Sequence, residues 1–149
     1  MWEVLESAEL NKTSDNSMNK MTVAHTEALL KAAQAKAKEL GVAVCIAVAD
    51  DGANLKGFVR MDGAFLGSTD VAIGKAKTAC LFPVATGDFG ELVRSENLTG
   101  MELSNGGLVC FPGGHPINTA GQLYGAIGVS GATAEQDDAI ASYAMGEVF

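Results

Sequence analysis

The chain is predicted to fold as an α+β domain, a central antiparallel sheet of about five strands flanked by helices. Three observations predict it. Apolar residues recur at three- and four-residue steps from Thr22 to Leu40, and a second helical stretch runs from Ser68 to Phe82. Apolar runs of strand length occupy Val42 to Ala49 and Gln122 to Ser130. Finally, the strands follow one another across turn sequences too short for a crossover, so they pair antiparallel.

Taken in order, residues 1–20 are polar after a short amphipathic turn at Trp2, Val4 and Leu5, and read as an N-terminal arm. The domain proper is assigned to 21–149. Its first helix is capped by Thr22, carries Val23, Thr26, Leu30, Ala33, Ala37 and Leu40 on one stripe, and stops at Gly41. The strand 42–49 turns through Asp50-Asp51-Gly52-Ala53-Asn54 into a return strand, Leu55 to Asp62. Along that strand Leu55, Gly57, Val59 and Met61 alternate with Lys56, Phe58, Arg60 and Asp62. Ser68 or Thr69 is expected to cap the second helix, which Pro83 stops. The spacing Asp88-x-x-Glu91 predicts a capping box and a short helix to Ser95. A glycine- and polar-rich loop, 97–107, precedes a short strand at Leu108 to Phe111. Then come a Pro112-Gly113-Gly114 turn, a strand at His115 to Asn118, a turn at Thr119-Ala120-Gly121 and the strand to Ser130. Thr133-x-x-Gln136 is a second capping box, opening a last helix with Glu135, Asp137 and Asp138 at its positive end.

Length and composition bound the function. At 149 residues, 48% hydrophobic, with mean hydropathy +0.18, the chain is sized for one domain with a real core. A net charge of −8 argues against nucleic acid and anionic membrane as partners. No apolar run approaches the roughly 20 residues of a spanning helix, and no signal peptide is evident. Cys45, Cys80 and Cys110 sit in apolar surroundings without metal-type spacing or a basic neighbour. They read as reduced thiols, and the expected location is the cytoplasm.

The chemistry-bearing residues are few. Lys75 falls in the middle of the apolar face of the second helix. It must snorkel, pair with a carboxylate, or face a cavity as a cation that holds an anion or moves a proton. Arg60 and Asp62 end one strand on one face. Of two histidines, His115 lies in the glycine turn, and His25 lies roughly 110° from the centre of the first helical stripe. His25 reads either as a half-exposed histidine or as an axial ligand to a cofactor between subunits. Gly125-x-x-Gly128-x-x-Gly131 lacks the lysine and spacing of a phosphate loop, so its glycines are expected to allow close approach of backbone or a flat ligand. No cluster has zinc or iron spacing.

Several segments together carry a resemblance: Val48-Ala-Asp50-Asp-Gly52-Ala-Asn-Leu55, Arg60-Met-Asp62-Gly-Ala64, Ser68, Ala72, Lys75-Ala-Lys-Thr-Ala79, Pro112-Gly-Gly-His-Pro-Ile117, Gly125-Ala-Ile-Gly-Val-Ser-Gly131 and Gln136-Asp137. Over about Met21 to Phe149 the chain resembles the GlcG/HbpS/PduO C-terminal family of haem-degrading or haem-binding domains. The resemblance implies a profilin-like fold and a homo-oligomer, commonly built from dimers toward an octamer. It also implies a haem-related role for some members, with His25 or His115 as the ligand to iron. The turn usually carries an apolar residue where this chain has His115. A second expectation is therefore kept: a small-molecule enzyme performing acid–base chemistry on an anionic metabolite. In it His115 moves the proton, Lys75 and Arg60 hold the anion, and Asp62 with Gly113 and Gly114 complete the substrate position.

Overall fold

A computed structural model describes residues 20–149. The arm expected over 1–20 lies, but for Lys20, outside the described residues. Helix α1 spans Val23–Glu39, with the Thr22 hydroxyl accepting the His25 N–H at 3.0 Å. It ends as the sequence predicts: Gly41 takes φ 71°, its N–H reaches Lys38 O, and the Val42 N–H reaches Ala37 O. Strands β1 (Cys45–Asp50) and β2 (Leu55–Arg60) form a hairpin. Asp50 organises its turn by accepting the N–H groups of Gly52 and Asn54, both at 2.9 Å. Helices α2 (Ser68–Leu81) and α3 (Thr86–Ser95) follow, then a 3₁₀ segment (Met101–Gly106). Strands β3 (Gly114–Thr119) and β4 (Gln122–Ser130) and helix α4 (Ala134–Val148) complete the chain. The expected capping box between Thr133 and Gln136 opens α4.

The sheet order is β2-β1-β4-β3, antiparallel throughout. On one face α1 and α4 pack Leu29, Ala33, Ala37, Ile140 and Ala144 against Ile46, Val48, Ile127 and Val129. On the other face α2 lies alone, with Ala72, Ala76 and Ala79 against Cys45, Ala47, Ala49 and Ala126. Because this second interface is made of small residues, helix and strand backbones approach closely. A Cβ on Gly128 would stand 2.6 Å from the Ala76 nitrogen. That is the close approach expected of the Gly125-x-x-Gly128 pattern. The alternation read in β2 holds too: Val59 and Met61 join the first core, Phe58 the second.

Three expectations are corrected. The sheet has four strands rather than five. Segment 108–111 is extended, but side chains and loops take its hydrogen bonds: the Val109 N–H goes to Thr78 Oγ1 at 3.0 Å, and Phe111 O accepts from Thr86 Oγ1 at 2.6 Å. Helix α2 has Gly67 at its N-cap with no side-chain bond, so neither Ser68 nor Thr69 caps it. Helix α3 begins two residues before Asp88, because the Thr86 hydroxyl is drawn into the turn, where it also accepts the Gly114 N–H at 2.9 Å. Glu91 then pairs with Arg94 at 2.6 Å instead of closing a capping box. Among the described residues no helix is long and apolar enough to cross a membrane.

Candidate functional site

Lys75 is the largest fully buried side chain, 0% exposed. Its ammonium donates to Val129 O at 2.8 Å and to Asp137 Oδ2 at 3.3 Å, and lies 4.7 Å from the centre of the Phe111 ring. The second Asp137 oxygen accepts the Ala132 N–H at 2.9 Å. The glycine turn is shaped around this charge. A Cβ on Gly113 would stand 2.6 Å from the Lys75 ammonium, and one on Gly114 2.7 Å from Lys75 O. Gly113 also takes φ 129°, in the region that favours glycine. Burial pulls the Lys75 pKa below its usual value, opposed by the neighbouring Asp137 charge and hydrogen bond. Lys75 therefore does not face a cavity within the chain, as a ligand-holding cation must. Likewise Gly113 and Gly114 are packed against Lys75 and Thr86 rather than left open to a substrate.

Arg60 and Asp62 line a cleft of about 380 Å³ with Gln34 and Lys38 of α1. His115 lines another, of about 330 Å³, with Ala85, Gly87, Asp88, Glu91, Arg94, Pro112 and Asp138. The two sit on opposite edges of the sheet, since β2 and β3 are its outer strands. Three inter-strand steps of about 4.8 Å put those edges about 14 Å apart. The constellation of Arg60, Lys75 and His115 is thus not assembled within one chain. What His115 does have is a carboxylate: Nε2 is 2.7 Å from Asp138 Oδ1.

His25, in the first turn of α1, is half-buried. Its Nδ1 is 2.7 Å from the Tyr124 hydroxyl, which also accepts the Thr22 N–H at 3.1 Å. The imidazole stands edge-on to the Tyr124 ring, centroids 5.6 Å apart, and 4.9 Å from the Phe149 ring. Tyr124 is 3% exposed, whereas Phe149 is 44% and Val23 60% exposed. So a buried phenol steers the ring while the Phe149 ring beside it reaches the surface. A phenol oxygen both donates and accepts, so Tyr124 suits either neutral tautomer of His25.

Asp137, Asp138, Tyr124 and Phe149 were not assigned these roles from sequence. Asp137 and Asp138 follow a helix start, where acidic residues suit the dipole, and that local reason masked their long-range partners. A signal for Asp137 did exist: a lysine inside an apolar stripe calls for a carboxylate. Nothing local pairs Tyr124 or Phe149 with a helix about a hundred positions away.

The described residues define a three-layer domain, helices on both faces of a four-stranded antiparallel sheet, with a tethered imidazole on an edge strand and another on α1. Residues 21–145 match the family model described as haem degrading protein HbpS-like, and the chain belongs to that family. It is 39% identical over 127 residues to a 15.0 kDa protein of the dhaT-dhaS intergenic region of Citrobacter freundii, covering 84% of this chain and 89% of that one. It is 35% identical over 122 residues to the corrinoid adenosyltransferase PduO of the same organism, 80% of this chain but 36% of PduO. The chain thus spans about a third of PduO. Among solved structures, protein ORFY of Klebsiella pneumoniae superposes with a TM-score of 0.81 at 37% identity, covering 85% of this chain and 88% of that one. A complex of PduOC with haem gives 0.81 at 32% identity, covering 85% and 94%.

Proposed function

We propose that this protein is a haem-binding homo-oligomer and that His25 is the residue presented to the iron. The observation that carries the reading is the imidazole held at Nδ1 by the Tyr124 hydroxyl, 2.7 Å away, beside the partly exposed Phe149 ring. The likeness to a PduOC–haem complex at 32% identity supports it. These residues fit the group. A haem site needs an axial ligand and an apolar slot, and metal-bound histidines characteristically have their second nitrogen held by an outer partner. When Nδ1 donates to Tyr124, the Nε2 lone pair is free. That nitrogen would hold the iron of a bound haem, which would supply redox and ligand-binding chemistry. The chain's contribution is to orient the ring through Tyr124 and to cover one side of a flat apolar ligand through Phe149. A second copy of the chain would cover the other side, which is why the reading includes self-association.

Haemin titration followed by absorbance and native mass spectrometry tests it. A saturable Soret band with a break at no more than one haemin per chain, on an oligomer of the 15.3 kDa chain, is expected. His25→Ala is expected to weaken binding at least about tenfold, the scale on which ligand-shell losses act. An unchanged spectrum on adding stoichiometric haemin to the wild-type protein would sink the reading.

A further inference from the structure

The haem reading leaves the second imidazole unused, and that imidazole is the better equipped for chemistry. His115 projects from the edge strand β3 and Asp138 from the second turn of α4, and their side chains are 18% and 39% exposed. An ionised carboxylate can only accept, so the 2.7 Å contact places a hydrogen on Nε2 and, in the neutral ring, a lone pair on Nδ1. Nδ1 has no hydrogen-bond partner among the described residues. It is not sealed away either, because every buried polar side-chain atom among them has a partner. The basic nitrogen therefore keeps some exposure, and His115 with Asp138 lines the cleft of about 330 Å³.

Across that cleft lies the start of α3. Ala85, Gly87 and Asp88 line it, and the N-cap, Ala85, makes no side-chain capping bond. The N-terminus of a ten-residue helix, the positive end of its dipole, thus borders the same cleft as the carboxylate-backed imidazole. The remaining charges set the ligand class. Asp88, Glu91 and Asp138 outnumber Arg94, and Arg94 is already bound to Glu91 at 2.6 Å. The local field is negative, which disfavours an anionic ligand and favours a neutral or cationic one.

We propose that His115 and Asp138 form a general-base dyad that hydrolyses small neutral or cationic esters in this cleft, independently of any haem bound at His25. Nδ1 takes a proton from a water molecule, whose oxygen attacks the ester carbonyl carbon. The amides at the start of α3 face the oxygen that gains charge. The ester C–O bond then breaks, and the imidazolium, stabilised by Asp138, returns its proton to the leaving oxygen.

The test uses the full-length protein without added haemin and p-nitrophenyl acetate as probe, read as nitrophenolate release between pH 6 and 9. The wild-type rate is expected to exceed that of the same concentration of free imidazole by at least about tenfold, and His115→Gln to lose it about a hundredfold. Asp138→Asn is expected to lower kcat about tenfold with KM unchanged, because the carboxylate steadies the imidazolium formed during the reaction and does not touch the ester. The surface variant Glu39→Gln reports the unperturbed rate, and thermal melts confirm that each variant is folded. The anionic p-nitrophenyl hemisuccinate is expected to react more slowly than the acetate. A wild-type rate no higher than imidazole's overturns the proposal. So does a folded Asp138→Asn protein with unchanged kcat. Neither outcome bears on the Soret titration.

Discussion

Replacing Lys75 alone would strand Asp137 in the core with only the Ala132 N–H for company. A buried charge deprived of its partner costs roughly 3–5 kcal/mol, whereas removing both charges together is often nearly neutral. Lys75→Met is therefore expected to lower the unfolding free energy measured by urea titration by a margin of that size. Lys75→Met/Asp137→Asn should recover to within about 2 kcal/mol of wild type, since asparagine still accepts from Ala132. A double variant no better than the single one would mean that the pair does not act as a unit. A second residue-scale prediction concerns alkaline pH. Burial, and then the Asp50 charge, push the Cys80 thiol up to about 12 from 9.0, while its Sγ donates to Asp50 O at 3.2 Å. Above pH 9 the unfolded chain releases this proton and the folded chain holds it, so Cys80 makes stability fall as pH rises from 9 toward 12. Lys75 acts oppositely: its folded pKa is lowered, so stability rises with pH between that value and 10.5. Urea midpoints from pH 8 to 10.5 should decline less in Cys80→Ala than in wild type. An identical decline would contradict the assignment.

The elements were largely legible through local rules, although these placed the cap of α2 wrongly on Ser68 or Thr69. Thr22, Gly41, Thr133 and Gln136 act on their own helix ends, and the β2 alternation follows from the pleat. Where a partner distant in sequence decided, reading failed. Thr86 bonds to Phe111 and Gly114, and this moved the start of α3. Thr78 takes the Val109 N–H, part of why segment 108–111 stays out of the sheet. The contact of α2 with β4 lies between these cases: the glycine pattern announced close approach but not what approaches. It yields a prediction of opposite signs for one substitution type. Gly128→Ala drives a Cβ into the backbone of α2 at Ala76 and is expected to destabilise by about 3 kcal/mol. Gly146→Ala, in α4 with nothing within 4 Å, is expected to stabilise by up to about 1 kcal/mol. Thermal melts of the two variants check this. Loss of stability in both, or in neither, would contradict the packing described.

For the whole molecule, layer order and family follow from the sequence because the motifs are many and spread over the chain. The candidate sites were less legible, since sequence reading gathered Arg60, Lys75 and His115 by type, whereas the sheet order sends Arg60 and His115 to opposite edges and closes Lys75 inside. What the fold sets up instead is a division of labour: Lys75 and Asp137 tie the glycine turn to α4, His115 and Asp138 stand beside α3, and the buried Tyr124 holds His25 beside Phe149. The central claim is that His25 meets iron. It is tested most directly by electron paramagnetic resonance of the ferric haemin complex, with pulsed detection of ¹⁵N coupling in protein labelled at histidine. The account predicts a coupling from an imidazole nitrogen that persists in His115→Gln and vanishes in His25→Ala. A haemin complex with no histidine coupling, or one whose coupling survives in His25→Ala, would contradict it.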